Sequence, residues 1–148
     1  MDIKDVEEKI ITVLTEIYEG RWEHKIDPAQ AQVLGTLLQR EADRLADELR
    51  KLSAELGLLQ EGYDLRKADV IHRIHKSGEY DLTSMSEKKI ENLALQKDKE
   101  LREMKARIKR LKIEISALKE KIKTIGYRAD DWKKNIVPII EREWRREV

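Results

Sequence analysis

Two long runs of apolar residues, spaced alternately three and four positions apart, constrain this chain more than any other feature. This spacing is the heptad pattern of coiled-coil helices, whose side chains interdigitate along a narrow seam. The first run contains Leu38, Ala42, Leu45, Leu49, Leu52, Leu56, Leu59, Tyr63, Val70 and Ile74. The second contains Leu101, Met104, Ile108, Leu111, Ile115, Leu118, Ile122 and Ile125.

Start and stop signals surround both runs. Asp27, Pro28 and Gln30 form a capping-box sequence at the start of the first helix, which we predict over residues 28–75. A polar segment containing Gly78 follows, and Ser84 with Glu87 predicts a second start. We predict the second helix over residues 84–125. Because the arms are similar in length and joined by a short loop, we expect a long antiparallel coiled-coil hairpin within residues 27–126.

Shorter helices are expected on either side of the hairpin. Residues 1–20 have an amphipathic helical pattern ending at Gly20, and a connector around Trp22 follows. Residues 127–148 break the heptads and predict short helices, with Pro138 starting the last one. Their apolar face packs either against the N-terminal helix or onto another subunit. The face consists of Trp132, Ile136, Val137, Ile139, Ile140 and Trp144, and we expect a homo-oligomer because a seam of two helices is narrow.

The composition favours an all-α binding protein over an enzyme. Charged residues make up 41% of the chain and aromatic residues 5%, which suits a helical seam better than a broad core. There is no cysteine and no glycine-rich phosphate loop, so we expect no catalytic activity and no cofactor. We also expect a cytoplasmic protein without a membrane contact, because no long apolar run is present and the first residues are acidic.

Two histidines are candidates for a metal site, because metal ions favour imidazole ligands. His72 and His75 are three residues apart and share one side of a helix, with Asp69 nearby. Nothing else in the sequence is spaced to complete a metal site. We therefore interpret the two histidines as polar residues of a solvated surface and predict no metal.

The charge of the chain is unevenly distributed. Two lysines against six acids give residues 1–20 a net charge of −4, whereas eight basic residues against two acids give residues 105–123 a net charge of +6. Part of the basic segment forms a stripe along one side of a helix. This pattern fits either a surface that follows a polyanion backbone or the solvated side of a coiled coil. The stripe consists of Lys105, Lys109, Lys112, Lys119 and Lys123.

A second basic group lies where the first arm ends, next to the flexible Ser77–Gly78. Such a tip can contact phosphates closely. Tyr63 and Tyr80 lie on either side of it; we expect Tyr63 to pack in the seam and leave a stacking role for Tyr80 open. The group consists of Arg66, Lys67, His72, Arg73, His75 and Lys76.

The segments LRKADVIHRIHKSGEYD (65–81) and ALKEKIKTIGYRADDW (117–132) give residues 28–148 a resemblance to the UvsY-type recombination mediator proteins of tailed phages. The resemblance implies a ring-like homo-oligomer that binds single-stranded DNA and helps a RecA-type recombinase displace a single-strand-binding protein. It places DNA contacts at Arg66, Lys67, Arg73 and Lys76. It places assembly contacts in the C-terminal segment, at Trp132, Ile136, Ile139, Ile140 and Trp144. The alternative is a structural or scaffolding coiled coil, of a chaperone-like or phage-assembly type, that does not bind nucleic acid.

Overall fold

The computed structural model describes residues 2–21 and 26–147. It contains five α-helices: α1 (Ile3–Tyr18), α2 (Pro28–Ser77), α3 (Glu87–Lys97), α4 (Lys99–Asp131) and α5 (Val137–Glu147). A 3₁₀ turn, Leu82–Ser84, precedes α3, and a π-helical turn, Trp132–Ile136, joins α4 to α5. Over these ranges there is no β-strand, which confirms the all-α prediction. The predicted connector around Trp22 lies outside the described residues.

The chain divides into two compact units. The terminal unit comprises Met1–Glu48 and Leu118–Val148, and the central unit comprises Leu49–Ala117. The predicted segments 1–20 and 127–148 therefore both belong to the terminal unit, whereas the predicted hairpin contributes to both units. No helix in the described part of the chain is long and apolar enough to cross a membrane.

The core of the terminal unit contains residues of α1, α2, α4, the π-helical turn and α5. Helix α1 buries the predicted face, including Val6 and Ile10, against the start of α2 and the C-terminal helices. Trp132 is 1% exposed, and its indole Nε1 donates a hydrogen bond of 2.8 Å to the carbonyl oxygen of Ala31. This contact joins the beginning of α2 to the end of α4. Further along α2, Glu41 interacts electrostatically with Lys121, so the partner number falls as the α2 number rises and the two helices run antiparallel here.

The central unit packs α2, α3 and α4 around a smaller core. Buried residues are contributed by α2 (Tyr63, Val70), by α3 (Ala94) and by α4 (Leu101, Ile108). Arg66 pairs with Asp98, and Glu55 pairs with Arg107. Because the partner number falls as the α2 number rises from Glu55 to Arg66, the arms are antiparallel in this unit also.

Several helix boundaries follow the sequence signals. Gln30 N donates to Asp27 Oδ1 at 2.8 Å and Asp27 N donates to Gln30 Oε1 at 3.2 Å, so the predicted capping box is formed. Gly20 has a φ of 71°, in the left-handed region where glycine avoids the steric cost of a side chain. These two positions confirm the predicted start of α2 and the predicted end of the N-terminal helix.

The predicted second arm was wrong in three details. Its helix begins at Glu87 because Ser86, and not Ser84, accepts the capping hydrogen bond from Lys89 N. It is interrupted at Asp98, whose backbone is extended. It continues past Gly126 to Asp131, because burial of Ile125, Ala129 and Trp132 outweighs the roughly 1 kcal/mol helix penalty of a glycine.

Candidate nucleic-acid interface

Arg66, the first residue of the predicted basic tip, is bound to carboxylates. Its Nε and Nη2 donate to the two oxygens of Asp98 at 2.8 and 3.0 Å, and Nη1 lies 3.1 Å from Glu100 Oε2. The hydrogen bond from Arg66 and the amide of Leu101 hold the pKa of the Asp98 carboxyl below its usual range. A phosphate at Arg66 would therefore have to displace a bidentate pair.

Lys67 and Lys105 share one carboxylate. Lys105 Nζ lies 2.5 Å from Glu91 Oε1, and Lys67 Nζ lies 3.5 Å from Glu91 Oε2. The hydrogen bond from Lys105 lowers the pKa of Glu91, so the carboxylate stays ionised between its two partners. Glu91 is on α3, which the stripe pattern of α4 alone does not reveal. These two predicted cations are thus used within the protein.

Arg73 is paired as well, but the remaining residues of the basic tip are open to solvent. Arg73 Nη2 binds the Asp69 carboxylate one helical turn away. His72, His75 and Lys76 are exposed and form no ion pair or hydrogen bond within the described ranges. The exposed part of the predicted tip is therefore its histidines and Lys76, and its arginines are neutralised locally.

The tyrosines near the tip are both engaged by neighbouring residues. Tyr63 is 8% exposed, and burial together with the nearby Glu91 charge raises its pKa to about 12. This confirms that Tyr63 packs in the seam. Lys97 Nζ lies over the Tyr80 ring, 5.4 Å from its centroid. A base could stack on Tyr80 only after Lys97 moved away.

The α4 stripe keeps most of its lysines free. In the central unit Lys109 and Lys112 are exposed, and neither has a carboxylate partner among the described residues. In the terminal unit Lys119 and Lys123 are likewise exposed and without an ion pair in the described part. Four of the five predicted stripe residues therefore carry uncompensated charge, with Lys105 as the exception.

The sequence pattern missed the carboxylates that decide which cations are available. Glu91 and Asp98 lie on or beside α3, and each neutralises cations of another helix. Asp98 had one visible signal: it stands three positions before Leu101, the spacing of an N-cap before an apolar run. Its Oδ2 accepts a hydrogen bond of 3.0 Å from Leu101 N. Glu91 gave no such signal, because its role depends on packing.

The residues selected for assembly lie mostly inside the terminal unit. Trp132, Ile136 and Ile140 are at most 3% exposed and belong to its core, whereas Ile139 is half-buried and Trp144 is 38% exposed. Of the two arrangements expected for the C-terminal face, the structure shows packing against the N-terminal helix. Of these five residues, only Ile139 and Trp144 retain surface that a second subunit could contact, and their role in assembly stays a prediction.

No cluster of three or more His, Cys, Asp or Glu side chains suited to a metal ion occurs within residues 2–21 and 26–147. The comparisons with known proteins add no relative: the chain matches no protein-family profile, no curated protein and no solved structure. A function for this protein therefore has to be inferred from its surface and from the resemblance of its sequence segments.

Proposed function

We propose that this protein binds single-stranded DNA through the free lysines of α4 and acts as an oligomeric accessory, or mediator, of DNA recombination. The observation that carries the proposal is the set of exposed, unpaired lysines on one helix. Lys109 and Lys112 belong to a nine-residue run, 105–113, with five basic residues and no acid. Exposed cations without carboxylate partners are what a phosphate backbone binds, because association then releases counterions without breaking ion pairs.

The arrangement supports contact with the backbone more than base recognition. Lys109 and Lys112 are three residues apart and share one side of α4, and Lys119 and Lys123 carry the same charge in the terminal unit. Both tyrosines near the tip are engaged, so no free aromatic surface is offered there for reading bases. We expect weak sequence preference and strong salt dependence.

The finer role, assistance to a RecA-type recombinase, is supported by the resemblance of residues 65–81 and 117–132 to UvsY-type mediators. It is tested by assembling a recombinase filament on DNA coated with single-strand-binding protein, with and without this chain. Acceleration by the wild type and none by a variant that does not bind DNA would support the role. Equal rates with all three samples would contradict it.

The DNA surface is tested by reversing the charge of Lys109 and Lys112 together, to give K109E/K112E. We expect the dissociation constant for a labelled single-stranded oligonucleotide to rise by about tenfold or more, since two phosphate contacts become repulsions. The measurement is fluorescence anisotropy at low salt. Both side chains are exposed, so helicity by circular dichroism should not change.

The matched control is K4E/K9E, which makes the same charge change on two exposed lysines of α1. If the control weakens binding as much as K109E/K112E, net charge and not the α4 surface is responsible. If neither variant changes the affinity, the α4 assignment is wrong. If the wild type does not bind DNA at all, the structural or scaffolding coiled coil becomes the better account.

A further inference from the structure

Helix α2 exposes two large leucines on the side away from its seam in the central unit. Leu58 is 72% exposed and Leu65 is 75% exposed. They are seven residues apart, which places them on the same side of the helix two turns apart, and the exposed Glu61 lies between them. Single exposed leucines are common, but two at heptad spacing repeat the pattern of a helix contact. We name Leu58, Glu61 and Leu65 the α2 outer face.

Helix α4 has a corresponding surface in the same unit. Ile113 is 63% exposed, and the exposed Arg110 lies three residues before it. Ala106 and Ala117, also exposed, are four residues on either side of Arg110 and Ile113, respectively, so all four residues share one side of the helix. We name Ala106, Arg110, Ile113 and Ala117 the α4 outer face. The lysine stripe is a separate set of residues on the neighbouring side of α4, and Lys109 adjoins the α4 outer face because it lies four residues before Ile113.

The two faces are complementary in charge and in side-chain size. Glu61 and Arg110 are both exposed, and neither forms an ion pair among the described residues. The α2 face presents two large leucines around an acid, and the α4 face presents two alanines around a base and an isoleucine. Two α2 faces brought together would oppose their Glu61 carboxylates, and two α4 faces would oppose their Arg110 guanidiniums. Like-charge contacts of this kind are disfavoured.

We propose that a second copy of this chain docks its α4 outer face onto the α2 outer face of the first. The leucines pack over the alanines, and Glu61 meets Arg110. Because each copy keeps one unused face of each kind, the contact is heterologous and adds further copies until a ring closes or a filament grows. This assembly surface lies in the central unit and uses none of the C-terminal residues. It contains none of the lysines assigned to DNA.

Charge exchange tests the pairing directly. We expect E61K alone and R110E alone to raise the dissociation constant of self-association by about tenfold or more, because each opposes like charges. The two variants mixed together should associate again, since every contact between them joins opposite charges. The double variant E61K/R110E should also recover wild-type mass. Mass is measured by sedimentation velocity over a range of concentrations.

Two further samples complete the test. L58S/L65S removes the apolar part of the α2 face and should yield monomers of unchanged helicity, because both side chains are exposed in the monomer. E8K, which reverses an exposed acid of α1, is the charge control and should keep wild-type mass. A wild type that stays monomeric at high concentration, or single reversals that leave the mass unchanged, would overturn the proposal. Failure of the mixed variants to associate would overturn the specific pairing of Glu61 with Arg110.

Discussion

At the scale of single residues, a basic side chain matters for binding only if no carboxylate has already neutralised it. Asp98 neutralises Arg66 in this way, and the same side chain also caps α4. Its oxygens accept the bidentate hydrogen bonds of Arg66, and Oδ2 also accepts the Leu101 amide at the start of α4. Arg102 meanwhile donates to the carbonyl oxygens of Leu95 and Gln96 at the end of α3. Backbone groups on both sides of the break between α3 and α4 are therefore hydrogen-bonded by side chains.

Replacement of Asp98 separates these two tasks. The ionised form of Asp98 is favoured by folding, because its folded pKa lies below the ordinary value of 3.8. Its contribution is therefore full above that ordinary pKa and is lost as the pH falls through the lowered folded pKa. We expect D98N, which retains a capping oxygen, to be less stable than the wild type at pH 7, and this difference to shrink below about pH 4.

The alanine variant adds the loss of the cap. D98A should be less stable than D98N by about 1 kcal/mol at pH 7, a typical cost of losing an N-cap. Urea unfolding followed by circular dichroism measures both effects when it is repeated from about pH 3, below the ordinary Asp pKa, to about pH 7, well above it. A wild type and D98N that differ equally at every pH would show that the Arg66 pair does not depend on the Asp98 charge.

At the scale of helices, the sequence predicted the seams and several ends, and packing decided the rest. The heptads placed Leu38, Tyr63 and Leu101 in the cores, and all three are buried. The break at Asp98 was missed because helix propensity changes little at one aspartate, and its ion pair with Arg66 comes from another helix. The continuation through Gly126 was missed because the buried surface beyond it comes from α1 and α2.

The C-terminal elements give a prediction that separates folding from assembly. Trp132 is 1% exposed, and its indole ring packs beside Gly35, where an added Cβ would lie 3.1 Å from Trp132 Cδ1. We expect W132A to lower the free energy of unfolding by about 3–5 kcal/mol, the usual cost of deleting a buried aromatic side chain. Urea unfolding followed by circular dichroism provides the measurement.

The matched variant is W144S, because Trp144 lies on the same C-terminal segment and is 38% exposed. Its effect on stability should be within about 1 kcal/mol, since surface substitutions are usually mild. If W132A reduces the oligomer mass but unfolds at the same urea concentration as the wild type, Trp132 serves assembly and does not stabilise the protomer core.

At the scale of the whole molecule, the fold was more predictable than the site. Periodicity along one helix is enough to predict an all-α chain with paired seams, because apolar residues at heptad spacing show which side of the helix is buried. The availability of a cation depends instead on carboxylates from other helices: Glu91 reaches both Lys67 and Lys105 across sequence separations that no single-helix pattern contains. Lys109, Lys112, Lys119 and Lys123 stay free of such partners within the described ranges, and they carry the proposal.

Salt dependence of binding by the unmodified protein tests that proposal most directly. A labelled single-stranded oligonucleotide is titrated by fluorescence anisotropy at ~50 mM and ~200 mM salt, with a duplex of the same sequence as control. If four lysines contact phosphates, the affinity for single strands should fall by about 50-fold between these concentrations, since each contact contributes roughly 0.7 to the logarithmic slope. It should also exceed the affinity for the duplex. Absence of binding at the lower salt concentration, or binding that salt does not weaken, would contradict the account.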